Sequence, residues 1–191
     1  MDTFALREPE MVEKCPVFEV DHPATQMDKR QRIERAGLSI PENLHFVPVD
    51  FAKDDLAKKL LAAGFDPCKK TFFSWLGGSY YLTLPQIEVM LQALAAISAQ
   101  GSSLVFDYAD AWLFESKVRR VQNMLAMAKA GGEPMVSCFD EPTLTRLLEH
   151  HGFLLYELLS PLEIGQYFAG RKDELTAFEH IHYAHAVYRR S

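Results

Sequence analysis

Residues 17–26, "VFEVDHPATQ", join a short apolar strand directly to a helix and decide the fold of the chain. Asp21 ends the predicted strand Val17–Val20, and Pro23 stands in the first turn of a helix predicted over Ala24–Ala36. An acidic side chain at such a junction either caps the helix or binds a ligand. The residues alone leave both interpretations open.

The same succession of strand and helix repeats along most of the chain. Further strands are predicted at Leu44–Val49, Thr71–Trp75, Leu104–Tyr108, Phe153–Leu158 and Ile181–Tyr188, and further helices at Asp54–Ala63, Leu84–Ala99, Lys117–Lys129 and Pro142–His151. This alternation implies βαβ units and a mostly parallel sheet. The segment 160–175, "SPLEIGQYFAGRKDEL", is expected to bring the chain back antiparallel. We therefore predict an α/β fold with an open, doubly wound sheet, in which residues 1–191 form a single domain.

Several helix ends carry residues with known positional preferences. Gly37 and Gly64 follow predicted helices, where a left-handed C-terminal cap favours glycine. Thr83 and Gln86 have the spacing of a capping box, and Asp140 has the position of an N-cap. These residues predict where the helices begin and end.

The composition argues against several classes of partner. The chain carries 26 acidic and 20 basic side chains, and its net charge of −6 argues against nucleic acid or an anionic membrane as the main partner. No apolar run approaches the roughly 20 residues that a membrane span requires. The N-terminal segment lacks the basic start and apolar region of a signal peptide, and the three cysteines form no metal or redox motif. A cytoplasmic location is therefore expected.

Two acidic residues stand at the ends of successive predicted strands, where open α/β sheets bind their ligands. Asp21 could accept hydrogen bonds from both hydroxyls of a ribose. Asp50 could accept one from the amine of an adenine, with the backbone N–H of Phe51 directed at a ring nitrogen. Each acid could instead cap the helix that follows it. Together the two acids indicate nucleoside binding, although no GxGxxG or P-loop sequence accompanies them.

The other chemically interesting residues favour structural roles. Gly77 and Gly78 follow a later strand and indicate a close approach of the backbone. His180 and His182 share one face of the last predicted strand, without the acid or cysteine cluster of a metal site, and we expect no bound metal. Ser74, Ser79 and Cys138 could act as nucleophiles, but no adjacent base accompanies any of them.

Five segments resemble, in the correct order, the leucine carboxyl methyltransferase-like family of S-adenosylmethionine-dependent methyltransferases. They are "VFEVDHPATQMDKRQRI" (17–33), "LHFVPVDF" (44–51), "TFFSWLGGSYYLT" (71–83), "LVFDYAD" (104–110) and "YFAGR" (167–171). The family is similar to class I methyltransferases, which have a Rossmann-like sheet with strand order 3-2-1-4-5-7-6 and an antiparallel last strand. The resemblance implies S-adenosylmethionine as the cofactor, with Asp21 as the ribose acid and Asp50 and Phe51 as adenine contacts.

The same resemblance assigns residues in the segment 74–83, "SWLGGSYYLT". Trp75 and Leu76 are expected to contact the cofactor, although many family members carry Glu in place of Leu76, near the cofactor's amino-acid part. Tyr81 corresponds to the tyrosine that lines the reaction site and is the expected catalytic residue. The alternative for Tyr81 is an aromatic side chain in the core.

The N-terminus departs from the family pattern. Residues 2–7, "DTFALR", resemble the tail of the family's glycine-rich first motif, GxGxDT, so strand 1 and its preceding helices are expected to be absent. Three explanations stay open: a start codon placed too late, a shortened chain, or a strand donated or replaced in a rearranged or dimeric fold. A homodimer that compensates for the missing strand is one expected assembly.

The expected function is O-methylation of a small molecule on a carboxylate or a hydroxyl group. A carboxylate is already ionised near pH 7 and needs no general base, whereas a hydroxyl needs one. An inactive methyltransferase-like binding or regulatory protein is the first alternative, because the glycine-rich loop is absent. A nicotinamide-dependent oxidoreductase is the weaker alternative, because nothing in the chain resembles a hydride-transfer site.

Overall fold

The structure of the chain, a computed structural model, describes residues 3–51, 53–170 and 176–189. The chain divides into two compact units, Met1–Pro67 and Cys68–Ser191, each with its own sheet. Asp2 of "DTFALR" and Arg171 of "YFAGR" lie outside the described residues. Among the described residues, no helix combines the length and the apolar character needed to cross a membrane.

The first unit contains a parallel two-stranded sheet and four helices. Its elements are α1 (Phe4–Arg7), α2 (Pro9–Lys14), β1 (Val17–Asp21), α3 (Pro23–Arg35), β2 (Leu44–Pro48) and α4 (Leu56–Ala62). Val17 pairs with Leu44 and Asp21 pairs with Pro48, so the carboxyl ends of the two strands lie side by side. This register places the residues that follow both strands at one edge of the sheet.

Polar contacts between α3 and β1 replace part of an apolar interface in the first unit. Lys29 of α3 is buried, and its Nζ lies 2.5 Å from a carboxylate oxygen of Glu19 on β1. The side-chain amide of Gln26 donates to the carbonyl oxygen of Glu19 at 2.7 Å. Buried charges require such partners because desolvation is costly. The beginning of α3 is thereby fixed against the strand that carries Asp21.

The second unit contains a four-stranded sheet in the order β3-β4-β6-β5. Its elements are β3 (Phe72–Trp75), α5 (Leu84–Ala96), β4 (Ser103–Ala109), α6 (Arg119–Ala130), α7 (Glu141–His150), β5 (Phe153–Leu159), α8 (Pro161–Gln166) and β6 (Ile181–Tyr188), with 3₁₀ turns at Ser79–Tyr81 and Leu113–Glu115. Strand β3 is parallel to β4, and β6 is antiparallel to both of its neighbours. Most side chains of β4 are buried, as expected for an interior strand covered on both faces.

The sequence prediction is confirmed for all six strands and for the five predicted helices, with ends that differ by up to three residues. The capping box of Thr83 and Gln86 is present, and Asp140 caps α7 by accepting from the Thr143 N–H at 2.9 Å. Gly37 and Gly64 both adopt positive φ angles, of 65° and 91°. The short helices α1, α2 and α8 were not predicted, because each has fewer than two full turns of periodic apolar residues.

The strand orders agree with the fold class that the sequence predicts. In the family order 3-2-1-4-5-7-6, the two-stranded sheet corresponds to strands 3 and 2, and the four-stranded sheet corresponds to strands 4, 5, 7 and 6. The strand that corresponds to family strand 7 is the antiparallel one. Among the described residues, no strand corresponds to family strand 1.

Gly152 is a position where the backbone itself requires glycine. It follows α7 with φ of 80°, and an added Cβ would lie 3.1 Å from Cε2 of Tyr188. We expect Gly152→Ala to lower the free energy of unfolding by about 1–2 kcal/mol, because a left-handed backbone is strained for alanine.

The matched control is Gly165→Ala in α8, where an added Cβ meets no atom within 4 Å. Replacing a helical glycine there should raise the free energy of unfolding by about 0.4–1 kcal/mol. Urea denaturation of both variants is the measurement. Equal effects of the two substitutions would contradict the strain assigned to Gly152.

Candidate functional site

Asp21 ends β1 at the carboxyl edge of the first unit's sheet. Its backbone carbonyl accepts from the N–H of Val49 at 2.9 Å, which extends the pairing of the two strands to this point. One carboxylate oxygen, Oδ1, accepts from the backbone N–H of His22 at 2.7 Å. No other hydrogen bond of the Asp21 side chain occurs among the described residues, so Oδ2 can accept hydrogen bonds from a ligand.

The helix after β1 is capped by His22 instead of Asp21. Nδ1 of His22 accepts from the Ala24 N–H at 3.3 Å, and His22 is the N-cap residue of α3. The capping interpretation of Asp21 is therefore wrong, because Asp21 still belongs to the strand. The ligand-binding interpretation of Asp21 stays a prediction.

Asp50 follows β2 and begins a tight turn. Its backbone N–H donates to Oδ2 of Asp54 at 3.0 Å, and its carbonyl accepts from the N–H groups of Lys53 and Asp54. The carboxylate of Asp50 lies 2.8 Å from Nζ of Lys53, whose side chain is mostly exposed. Asp55 is the residue that caps α4, by accepting from the Lys58 N–H at 3.0 Å. The capping interpretation of Asp50 is therefore also wrong.

Phe51 stands next in the same turn, with 50% of its surface exposed. Its backbone N–H makes no hydrogen bond among the described residues, and it can therefore donate to a ring nitrogen. The hydrogen-bonding groups at this edge of the sheet are two carboxylates, which accept, and one N–H, which donates. Those groups fit the hydroxyls, the amine and the ring of an adenine nucleoside, which is the part of S-adenosylmethionine that the resemblance assigns here.

In the second unit, a buried carboxylate organises the loop that follows β3. The N–H of Gly77 donates to both carboxylate oxygens of Asp107, at 2.8 and 3.0 Å. The hydroxyl of Ser79 donates to the Asp107 carbonyl, and the Tyr80 hydroxyl lies 3.4 Å from Oδ2. Burial raises the pKa of Asp107, and the N–H of Gly77 acts in the opposite direction. Asp107 lies inside β4, and its hydrogen bonds fix this loop.

The close approach that the sequence predicts is confirmed at Gly78, whereas Gly77 has no atom within 4 Å of an added Cβ and instead adopts a positive φ. Gly77 has a positive φ of 74°, and a Cβ on Gly78 would lie 2.9 Å from Nε1 of Trp75. The Trp75 ring stacks on Phe106 of β4 with centroids 5.9 Å apart. Leu76 is 53% exposed and offers no charged or hydrogen-bonding side-chain group. Cofactor contacts by Trp75 and Leu76 stay predictions, and Leu76 cannot replace the charge of a Glu.

Tyr81 ends the 3₁₀ turn Ser79–Tyr81. Its side chain both packs against the apolar core and lines a surface groove, so it has features of each of the two roles that the sequence leaves open. Its ring meets that of Tyr80 edge-on at 4.9 Å and packs against an apolar cluster with Ala109, Leu113, Val121 and Met135. Its side chain also lines a groove of about 750 Å³ on the surface of the second unit, together with Arg119, Arg120, Asn123, Met124 and Met127. The catalytic role of Tyr81 stays a prediction.

His180, just before β6, and the histidines of β6 have carboxylate or hydroxyl partners. His180 and His182 both contact Asp110, and Nε2 of His185 lies 3.1 Å from Oγ of Ser103. The described part of the chain holds no group of three His, Cys, Asp or Glu residues arranged to bind a metal ion. Asp110 was not singled out from the sequence, because its partners lie some seventy residues away.

Known proteins are similar to this chain in sequence and in fold. Residues 1–95 match the model of a family described as leucine carboxyl methyltransferase. The chain is 50% identical over 190 residues to a protein of Bacillus subtilis (strain 168) with the provisional name S-adenosyl-L-methionine-dependent methyltransferase YktD. It is 36% identical over 109 residues to a Mycolicibacterium gilvum (strain PYR-GCK) protein with a name of the same kind. These matches cover 98% and 56% of this chain, and 62% and 43% of the two relatives.

Solved structures share the fold at low sequence identity. The mitomycin 7-O-methyltransferase MmcR gives a TM-score of 0.58 at 11% identity, over 91% of this chain and 42% of that one. Magnesium protoporphyrin IX methyltransferase from Synechocystis PCC 6803 was solved with bound S-adenosylhomocysteine. It gives a TM-score of 0.51 at 14% identity, and the match covers 91% of this chain and 64% of that one. These likenesses show the class I methyltransferase fold. In the family model over residues 1–95 and in its identity to YktD, the chain is similar to the leucine carboxyl methyltransferase family.

Proposed function

We propose that this chain is an S-adenosylmethionine-dependent O-methyltransferase that acts on a carboxylate or hydroxyl group of a small molecule. The observation that carries the proposal is the carboxyl edge of two adjacent parallel strands, where Asp21 ends β1 and where Asp50 and Phe51 follow β2. The similarity to S-adenosylmethionine-dependent methyltransferases supports the same cofactor. Because the chain spans 62% of the length of YktD, the activity of the whole protein is part of the proposal.

The first unit is proposed to bind the nucleoside part of the cofactor. The open oxygen of Asp21 accepts hydrogen bonds from the ribose hydroxyls, and the carboxylate of Asp50 accepts one from the adenine amine. Since the Lys53 partner of Asp50 is exposed, its ion pair is weak and can yield to a ligand. The N–H of Phe51 completes the set as a donor. When bound, S-adenosylmethionine supplies the electrophilic methyl group of its sulfonium.

The second unit is proposed to contribute the acceptor side through Tyr81 and its groove. The hydroxyl of Tyr81 makes no hydrogen bond among the described residues, so it can position an acceptor oxygen. Tyr80 is a poor base at neutral pH, because burial and the nearby Asp107 raise its pKa well above the usual value. A carboxylate acceptor needs no base, which suits this environment better than a hydroxyl.

The proposed partner is a small-molecule acceptor, not nucleic acid or a membrane, and the proposed location is the cytoplasm. The net charge of −6 argues against nucleic acid and an anionic membrane as partners.

Binding of the cofactor without methyl transfer is the second candidate function, since exposed Leu76 stands where family members carry an acid. A chain that binds S-adenosylhomocysteine but transfers no methyl group to any acceptor would favour this candidate.

Asp21→Ala should weaken binding of S-adenosylhomocysteine by about tenfold to a hundredfold, because hydrogen bonds to a charged group contribute about 1.5–3 kcal/mol. Isothermal titration of the 191-residue chain and the variant is the measurement. The matched control is Asp28→Asn, an exposed acid of α3 that pairs with Arg32. Its affinity should equal that of the parent chain. Equal affinities for Asp21→Ala and the parent would remove Asp21 from the site.

Tyr81→Phe should lower kcat by about tenfold or more, since a hydrogen bond of about 1.4 kcal/mol to the reacting oxygen is lost. The acceptor is first found by screening small carboxylic acids and phenols for release of S-adenosylhomocysteine. Affinity for S-adenosylhomocysteine should stay unchanged in the variant. Tyr156→Phe on the edge strand β5, where the ring is 75% exposed, is the control. A kcat equal to that of the control would leave Tyr81 with a packing role only.

We further propose that two copies of the chain associate through an unpaired sheet edge. Strands β1 and β3 each pair with one neighbour among the described residues, and such an edge offers free N–H and C=O groups. Sedimentation velocity of the 191-residue chain should then give twice the mass of one chain at micromolar concentration. A single monomeric species over the whole concentration range would contradict the homodimer.

A further inference from the structure

Asp110, His180 and Ser116 form a hydrogen-bonded series just beyond the carboxyl end of β4. Nδ1 of His180 lies 2.9 and 3.1 Å from the two carboxylate oxygens of Asp110. Nε2 of the same ring lies 3.0 Å from Oγ of Ser116. Asp110 and Ser116 both lie in the segment between β4 and α6, whereas His180 is 64 positions from Ser116 in the chain.

The partners fix one consistent arrangement of protons. A carboxylate only accepts, so Nδ1 of His180 carries the proton that it donates to Asp110. Nε2 is then the acceptor, and the Ser116 hydroxyl donates to it. Asp110 is itself held by the Trp112 N–H at 2.8 Å, and Nε2 of His182 lies 3.2 Å from its other oxygen. This is the arrangement in which an imidazole can take the proton of a serine nucleophile.

The backbone holds His180 in an uncommon conformation. Its φ is 65°, and among the described residues it is the sole non-glycine residue with a positive φ. Its carbonyl oxygen accepts from the Asp110 N–H at 2.9 Å, which ties the beginning of β6 to the end of β4. Backbone strain of this kind costs about 1–3 kcal/mol and is often found at functional sites.

The surroundings of Ser116 can stabilise negative charge. Ser116 is half-buried on a loop whose flanking residues are exposed, two positions before the N-cap residue of α6. The N–H groups of Arg119 and Arg120, in the first turn of α6, make no hydrogen bond among the described residues. Donors of this type can stabilise the oxyanion that forms when a serine attacks a carbonyl group.

A second serine–histidine pair in the same sheet lacks the carboxylate. Oγ of Ser103 lies 3.1 Å from Nε2 of His185, but no acid among the described residues hydrogen-bonds to His185. The ring of His185 instead meets Tyr156 edge-on at 5.2 Å. This pair is therefore an internal comparison for Ser116, with the same nucleophile and imidazole but without the acid that orients the imidazole.

We propose that Ser116, His180 and Asp110 form a hydrolytic centre for small carboxylic esters, separate from the proposed methyl transfer. Oγ of Ser116 attacks the ester carbonyl carbon, the new C–O bond forms, and the proton of the hydroxyl passes to Nε2 of His180. The C–O bond to the alcohol breaks, and that proton leaves with the alcohol. Water then attacks the acyl-serine with His180 as the base, which releases the acid and restores the serine.

The test uses the 191-residue chain with p-nitrophenyl acetate as substrate and a fluorophosphonate as covalent probe. The parent chain should release p-nitrophenol and gain one probe mass, mapped by peptide analysis to Ser116. Ser116→Ala should abolish the label and lower the rate at least tenfold. Asp110→Asn, which keeps the shape of the side chain, should also lower the rate at least tenfold.

Ser103→Ala is the matched control and should leave both labelling and hydrolysis unchanged. Circular dichroism of each variant checks that the fold is retained. The proposal is overturned if the probe labels no residue or labels a residue other than Ser116. It is also overturned if Ser116→Ala hydrolyses the ester as fast as the parent, since the series would then only tie β4, β6 and the loop together.

Discussion

The hydrogen bonds between the buried carboxylate of Asp107 and the N–H of Gly77 are the interaction on which the loop of the proposed acceptor side depends. They hold the loop after β3 against β4, and they require a glycine with positive φ at that point. Gly78 then leaves room for the Trp75 ring, and the 3₁₀ turn carries Tyr81 to its groove. A single buried acid thereby links the packing of the central strand to the proposed acceptor side.

In both units, acidic side chains lie at or near the carboxyl ends of strands, but their environments differ. Asp21 is half-exposed with one oxygen open to a ligand, whereas Asp107 is buried and used by the protein itself. Asp110, just beyond β4, is used by the protein too, through His180 and His182. The proposal for Asp21 therefore rests on an oxygen that makes no hydrogen bond among the described residues, whereas Asp107 and Asp110 are bonded within the protein.

The sequence predicts local structure well because strands and helices here have clear apolar patterns, and caps such as Thr83–Gln86 are local. The sequence does not predict which acidic side chains form hydrogen bonds to other residues of the protein, because those bonds join residues that are distant in the chain. Asp107 meets a residue thirty positions away, and Asp110 meets His180 seventy positions away. The residue next to Asp21 caps the helix because the strand extends one position further than its apolar run indicates.

The central claim is that residues at the carboxyl edge of β1 and β2 bind the nucleoside of S-adenosylmethionine. The most direct measurement is a crystal structure of the 191-residue chain grown with S-adenosylhomocysteine. The account predicts the ribose hydroxyls within hydrogen-bonding distance of Asp21, and the adenine against Phe51 with its amine at Asp50. A ligand bound elsewhere on the chain, with Asp21 still contacting only the N–H of His22, would contradict the account.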